Sequence, residues 1–468
     1  MQLNWKNPVT MILIIGFTIA AVPIFLGIES AYAVDGNITY SSSTTSSSGF
    51  YAGLGTIYTV KTLDKVNIKV LRYHPRGQDF NAGKQPILLL PGMACNINTY
   101  LTQTTPRIKE LYPNNVLPAS IAPWAQGDPN IQNDPLLYYS LAYYLHKMGY
   151  DVWLLNYRGV GDEDMKSDYG DVDDSTIDVF AMYDARAGLN LVYQATGKHP
   201  VVGGHSTGGT VFMMLLEGCY FKWDGHVGTS ASLVKQRNGD AEGPETIKGF
   251  IGLEPAGIPT VTSIFDFNLV WALLASGIQL NLRTLCKTLD GKGQLSLMNL
   301  LSEIMGMLDN SLLGQVIGNY LNIDPANTGD VLTYWFLRYV ADTMYISMVG
   351  QYADWAWHKT IREYYQNGFF NEGRIEAPTP NYWDGYYYYL KNVNKWKVPS
   401  IFFLATMQND IFDLVNKDAI IRDYVQGKTF NSKDRTYIVA GAHIEFPMGK
   451  SAPGNIFPNL GTWLTTLG

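Results

Sequence analysis

The chain has 468 residues, 46% of them hydrophobic and 16% charged, which supplies a large packed core and excludes a disordered chain. Lys and Arg number 34 against 41 Asp and Glu, a formal net charge of −7 with no long basic run, so nucleic acid is not an expected partner. Three cysteines, Cys95, Cys219 and Cys286, are too few for a disulfide framework and read as three buried thiols, with a single pair as the alternative.

Residues 1–33 read as an export signal. A lysine in Met1–Pro8 precedes the apolar run Val9–Ile28, and Ser30–Ala33 supplies a small-x-small cleavage site. Cleavage after Ala33 gives a secreted, extracytoplasmic chain; retention leaves it tethered by an N-terminal segment, although Pro23 interrupts the run. Residues 34–50 contain the tract TYSSSTTSSSG and read as a Ser/Thr-rich flexible linker. Asn37-Ile38-Thr39 is a glycosylation acceptor pattern where the host performs that chemistry.

From residue 51 to 257 the pattern alternates. TIYTV and VNIKVLRYH read as strands, and PILLLPG as a strand buried on both faces. Leu137, Leu141, Leu145 and Met148 then share one stripe of a predicted helix over 135–148. YDVWLLNYRG is a further buried strand, and Ser175 to Gly197 reads as a helix with a serine cap and a glycine stop. PVVGG precedes a helix through TVFMMLLEGCY, and IKGFIGLEPA adds one more strand. Residues 258–397 break this rhythm with helix formers and aromatics, which reads as a helical cap or lid insertion. The alternation resumes over 398–468 with VPSIFFLATMQNDIF and DRTYIVAGAHIEF. The expected fold is therefore α/β: a mostly parallel sheet flanked by helices, with a helical cap inserted before the last two strands.

Gly204-His205-Ser206-Thr207-Gly208 fits the nucleophile elbow, in which a serine sits on a strained strand-to-helix turn and glycines let neighbouring backbones approach. With 45 glycines in the chain the pentapeptide alone decides little; its place between a predicted strand and helix gives it meaning. A serine hydroxyl needs an imidazole to take its proton. Among seven histidines, His443 follows a late strand and a glycine-containing turn, where the chain order serine, acid, histidine puts the base. The acid belongs after the preceding strand, which offers Asp410 and, three residues on, Asp413; Asp410 comes first and is the choice. Backbone N–H groups of Thr207 and Met93 are the expected oxyanion donors, each worth roughly 3 kcal/mol of barrier.

Other motifs fail on inspection. Gly449-Lys450-Ser451 lacks the first glycine of a phosphate loop, because Ile444 stands there. No H-E-x-x-H occurs, and Gly159-Val160-Gly161 has no third glycine. The acidic stretch Gly161–Asp178 has no regular ligand spacing for calcium and reads as a solvated loop. No cofactor and no metal are expected.

With these residues assembled, the chain resembles the acid lipase branch of the α/β-hydrolases, the gastric and lysosomal lipases. VWLLNYRG is similar to that family's V-W-L-x-N-x-R-G, and FAMYDARAGLNLVYQATGKHPVVGGHSTGGT to its M-A-x-Y-D helix, strand and G-H-S-x-G elbow. HIEF resembles H-x-D-F and NDIFD resembles N-D-L-x-x-D, a match that favours Asp410. The likeness covers roughly 60–255 and 398 to the C-terminus. The family's His-Gly is Pro91-Gly92 here, and the cap is longer and does not match clearly. The resemblance implies a Ser-His-Asp hydrolase of carboxylic esters, lipid-like or otherwise apolar, acting through an acyl-enzyme, with an ester substrate as partner and a lipid interface as a further one. An acyltransferase on the same triad and a non-catalytic binding protein on the same scaffold are the alternatives. The oligomeric state is not set by the sequence.

Overall fold

The structure is a computed structural model that describes residues 38–45, 48–113, 116–170, 175–259, 280–281, 283–284, 287, 331–365, 385–405, 424–441 and 443–468. Strands β1 (Tyr40–Thr44), β2 (Gly55–Lys61), β3 (Asn67–Tyr73), β4 (Pro86–Leu90), β5 (Asp151–Asn156) and β6 (Val201–Ser206) are followed by a small hairpin, β7 (Cys219–Phe221) and β8 (Val227–Thr229). Then come β9 (Gly249–Pro255), the two-residue pair β10 (Leu280–Asn281) and β11 (Thr343–Met344), β12 (Ser400–Ala405) and β13 (Arg435–Val439). Nine of these form one sheet in the order β1-β2-β3-β5-β4-β6-β9-β12-β13. The strands from β5 to β13 run parallel, and β1, β2 and β3 add an antiparallel edge.

The apolar runs explain the layering. Every residue of β4, β5, β6, β9 and β12 is buried, as in a sheet covered on both faces. Alternate side chains feed two cores. Leu88, Leu90, Trp153 and Leu155 face one, with Val211 and Phe212; Ile87, Leu89, Val152 and Leu154 face the other, with Phe457, Leu460 and Trp463. The covering helices are α1 (Leu141–Lys147), α2 (Arg186–Thr196), α3 (Thr207–Leu216), α4 (Ile346–His358) and α5 (Phe457–Thr465).

Several elements differ in detail from the sequence reading. Tyr40–Thr44, inside the tract read as a linker, is a strand paired with β2 over its whole length. All five of its residues are exposed, so backbone pairing, with the Tyr40 ring against Tyr58, holds it and no apolar alternation marks it. The helix expected over 135–148 is two pieces, the 3₁₀ segment Pro135–Tyr139 and α1, divided at Ser140. Ser140 Oγ caps the second piece at Tyr143 N and donates to Tyr100 O, so a local side-chain bond wins over continuing the helix. The 175–197 helix begins with Thr176 as its cap and passes through a π-helical segment, Phe180–Ala185, before α2 and the left-handed Gly197. The acidic stretch is not simply solvated. Asp178 is fully buried, and Asp162 pairs with Arg283 and Lys287 of the insertion. Among the described residues no helix is long and apolar enough to cross a membrane, and the apolar run Val9–Ile28 lies outside them.

Candidate active site

The site forms where β6 meets α3, at the carboxyl end of the parallel strands, the edge of such sheets where ligands bind. Ser206 adopts φ 54° and ψ −126°, a left-handed backbone that costs a non-glycine residue about 1–3 kcal/mol. The surrounding glycines hold it there. A Cβ on Gly204 would stand 2.2 Å from the Gly208 carbonyl carbon, and one on Gly208 would stand 2.3 Å from Leu90 O. The elbow therefore requires backbone against backbone, which only glycine permits. Tyr100 ties the strand ends together from one side: its hydroxyl donates to Leu90 O at 2.6 Å and accepts from His205 N at 2.7 Å.

The loop after β4 lies on the serine. A Cβ on Gly92 would be 3.1 Å from Ser206 Cβ and 3.1 Å from His205 Nδ1. Met93 follows, buried, and Ala94 has φ 51°. Thr207 opens α3, so its N–H sits at the positive end of a ten-residue helix. The Thr207 hydroxyl meets Tyr352 Oη of α4 at 2.8 Å, which brings the insertion down onto the residue after the serine.

His443 reaches the same place from the far end of the chain. It is 5% exposed, its carbonyl accepts from His205 Nε2 at 2.8 Å, and the two rings lie 4.7 Å apart. Burial pushes its imidazole down to about 3, and burial followed by the neighbouring His443 pushes His205 well below the usual histidine range. The structure thus brings Ser206, Thr207, Met93 and His443 to one end of the sheet. Asp410 and Asp413 both lie outside the described residues. Among the described residues no group of three His, Cys, Asp or Glu side chains could hold a metal ion.

Sequence reasoning passed over Glu254. It is the last residue but one of β9, beside the elbow strand, with φ 45° and no exposed surface, and it sits in the bulge where the pairing with β6 shifts between His205 and Ser206. One carboxylate oxygen accepts the N–H of Ala405, the last residue of β12. An acidic residue closing an apolar strand at its carboxyl end was the available signal. A second connection was also hidden: the R-G and Y-D motifs are one ion pair, with Arg158 Nη2 2.7 Å from Asp184 Oδ1 and Arg158 N donating to the same carboxylate at 3.0 Å.

A family model described as alpha/beta hydrolase fold matches residues 129–217, the stretch that holds β5, β6, the elbow and α3. The fold is that of the α/β-hydrolases. Ser206 lies within the matched stretch, at the strained turn between β6 and α3. Among solved structures, the chain is similar to a monoacylglycerol lipase of Paleococcus ferrophilus at 13% identity and TM-score 0.42, covering 83% of this chain and 97% of the other. It is also similar to a putative aryl esterase of Burkholderia cenocepacia, at 13% identity and TM-score 0.39 over 88% and 98% of the two chains. A third is a thermophilic esterase of Thermogutta terrifontis, at 12% identity and TM-score 0.36 over 86% and 94%. No curated protein matches the sequence.

Proposed function

We propose that this protein is an exported serine hydrolase of carboxylic esters with an apolar acyl or alcohol part. The observation that carries the reading is the backbone of Ser206, held at φ 54° between β6 and α3 with Gly92 against its Cβ. Strain of this kind persists only where the surroundings over-determine it, and it turns the hydroxyl out of the strand toward a substrate.

In the reaction Ser206 Oγ attacks the ester carbonyl and His443 takes the hydroxyl proton. The N–H groups of Met93 and Thr207 receive the developing oxyanion. The tetrahedral intermediate collapses to an acyl-enzyme as His443 returns the proton to the leaving alcohol. Water, deprotonated by the same imidazole, then releases the acid and restores Ser206. Burial favours the neutral imidazole that can accept a proton, and a carboxylate at Nδ1 pulls the other way by stabilising the imidazolium. That second role is given to Asp410. The motifs VWLLNYRG, GHSTG, NDIFD and HIEF support a place near the gastric and lysosomal lipases, and the aromatic insertion supports an apolar substrate. Export rests on the signal-like residues 1–33.

The test is fluorophosphonate labelling of the full-length folded protein, with and without detergent, and mass spectrometry of the modified peptide. An adduct on Ser206 and turnover of p-nitrophenyl esters are expected. Ser206→Ala and His443→Ala should each lower kcat by roughly 10⁴-fold or more while circular dichroism stays native. A folded chain that neither labels nor hydrolyses any ester in a series of increasing chain length would end the hydrolase reading.

A further inference from the structure

The loop that follows β4 is held by two parts of the molecule. From the core, Asn156 Oδ1 accepts from Ile97 N at 2.9 Å. From the insertion comes a larger set of contacts, all buried. Asn96 N donates to Val340 O at 3.1 Å, Asp342 N donates to Ala94 O at 2.7 Å, and Cys95 pairs with Ala341 as an isolated antiparallel bridge. The side chains repeat the pattern. Asn96 Nδ2 donates to Tyr339 O at 3.0 Å and to Asp342 Oδ2 at 2.9 Å, and Asn98 Nδ2 donates to Tyr339 O at 2.9 Å.

Asp342 is the centre of this set. It has no exposed surface, and its Oδ2 also accepts from Gly161 N at 3.0 Å while Oδ1 accepts from Thr343 N at 2.8 Å. Arg283 Nη1 lies 3.9 Å from Oδ2 and Arg283 Nη2 lies 2.7 Å from Asp162, so the buried charge has a cation beside it. The side chain therefore joins three segments: the loop after β4, the turn after β5, and the insertion itself. In the loop the carboxylate holds Asn96, while the Asp342 backbone N–H holds Ala94 O; Ala94, two residues before Asn96, has the left-handed φ of 51°, a conformation that alanine keeps only when neighbours impose it. Without the carboxylate, Asn96 is released and the backbone bond to Ala94 loses its support, which would let the peptides on either side of Met93 rotate. Those peptides carry the N–H assigned to the oxyanion.

We infer that Asp342, in the insertion, is a positioning residue of the oxyanion hole, which makes the insertion a structural part of the catalytic centre rather than only its cover. The inference rests on the hydrolase reading for the word oxyanion, and on the hydrogen bonds alone for the anchoring. An oxyanion donor must stand within a few tenths of an ångström of its place to stabilise the transition state.

The experiment compares wild type with Asp342→Ala and Asp342→Asn in the full-length chain, using kinetics and amide hydrogen exchange over residues 93–98. The expected result is a fall in kcat of about 10- to 100-fold with KM within about threefold, since the lost contact acts in the transition state. The affinity for a trifluoromethyl ketone that forms a tetrahedral adduct should fall by the same factor as kcat/KM, and exchange over 93–98 should rise. A folded variant with wild-type kcat overturns the proposal, as does a fall in kcat with unchanged ketone affinity. If Asp342→Ala does not fold, Asn96→Ser removes the loop's side-chain bonds to Asp342 Oδ2 and Tyr339 O and decides by the same criteria. Labelling of wild-type Ser206 separates the two ideas. Without an adduct the hydrolase reading fails, and unchanged exchange over 93–98 in the variants would still overturn the anchoring.

Discussion

The two walls of the Ser206 site are built by different physics. On the elbow side, glycine at 204 lets backbone touch backbone at Gly208 within the turn, and glycine at 208 lets it touch Leu90 O at the end of β4, so the turn is set by steric exclusion. On the opposite side, the loop 92–98 is set by polar side chains and carbonyls that come from residues 339–342, some 246 positions away along the chain. Steric walls are rigid, whereas a hydrogen-bonded wall holds only while every partner is present, because each buried orphan costs about 1–3 kcal/mol. The first kind of wall resists chemistry but not a methyl group; the second tolerates shape but not the loss of a donor or acceptor.

A methyl group is accordingly the sharpest probe of the elbow. Gly208→Ala would put Cβ 2.3 Å from Leu90 O and 2.7 Å from Pro91 O, both backbone atoms that no rotamer change can move. We expect a loss of roughly 3 kcal/mol or more, at the upper end for overpacking, together with loss of Ser206 labelling. Urea denaturation measures the first; a variant as stable as wild type would mean the elbow is looser than described.

Tyr100→Phe probes the bond that spans the two walls. It removes the hydroxyl shared by Leu90 O and His205 N and leaves both backbone groups buried, so stability should fall by about 1–3 kcal/mol. A change under about 0.3 kcal/mol in the unfolding free energy from urea denaturation would show that water or a relaxed backbone replaces the phenol.

A pH-dependent effect tests a second polar tie to the insertion. Asp178, at the start of the helix that leads into α2, accepts from Gln351 Nε2 at 2.9 Å, from Tyr364 N at 2.8 Å and from the Tyr389 hydroxyl. Burial, with the charge of Glu363 nearby, pushes its carboxyl up to about 7 against the hydrogen bonds that favour the ionised form. A folded value above the unfolded one means that the native state holds the proton more tightly. The contribution is then fully present below the unfolded value near 3.9 and is lost as pH rises through about 7. Asp178→Asn, which never ionises, should therefore gain on wild type as pH rises from 4 to 8, by up to about 4 kcal/mol for a carboxyl raised from near 3.9 to about 7. A margin that stays constant or shrinks between those pH values would contradict this.

The same contrast explains what could be read from the residues alone. The continuous apolar runs PILLL and DVWLL, the turn glycines and the alternation of strand and helix carry the sheet, because burial on both faces and the period of a helix are local properties. That Ser206, Met93, Thr207 and His443 come to one end of the sheet was legible for the same reason: each stands at or just beyond the carboxyl end of a strand. β1 was not legible, since a strand exposed on both faces leaves no hydrophobic period. Neither was the role of Asp178, which sits in a run of acidic residues that composition marks as solvated and which tertiary packing buries beneath Tyr389 and Gln351. Glu254 and Asp342 make the point most directly. In the sequence each is one carboxylate among 41 acidic residues. Only the folded chain, by bringing β12 to Glu254 and the loop after β4 to Asp342, gives those carboxylates the buried N–H groups that define what they do. Local spacing determined where the chemistry could be; contacts between distant segments, which no local period encodes, decided how it is held.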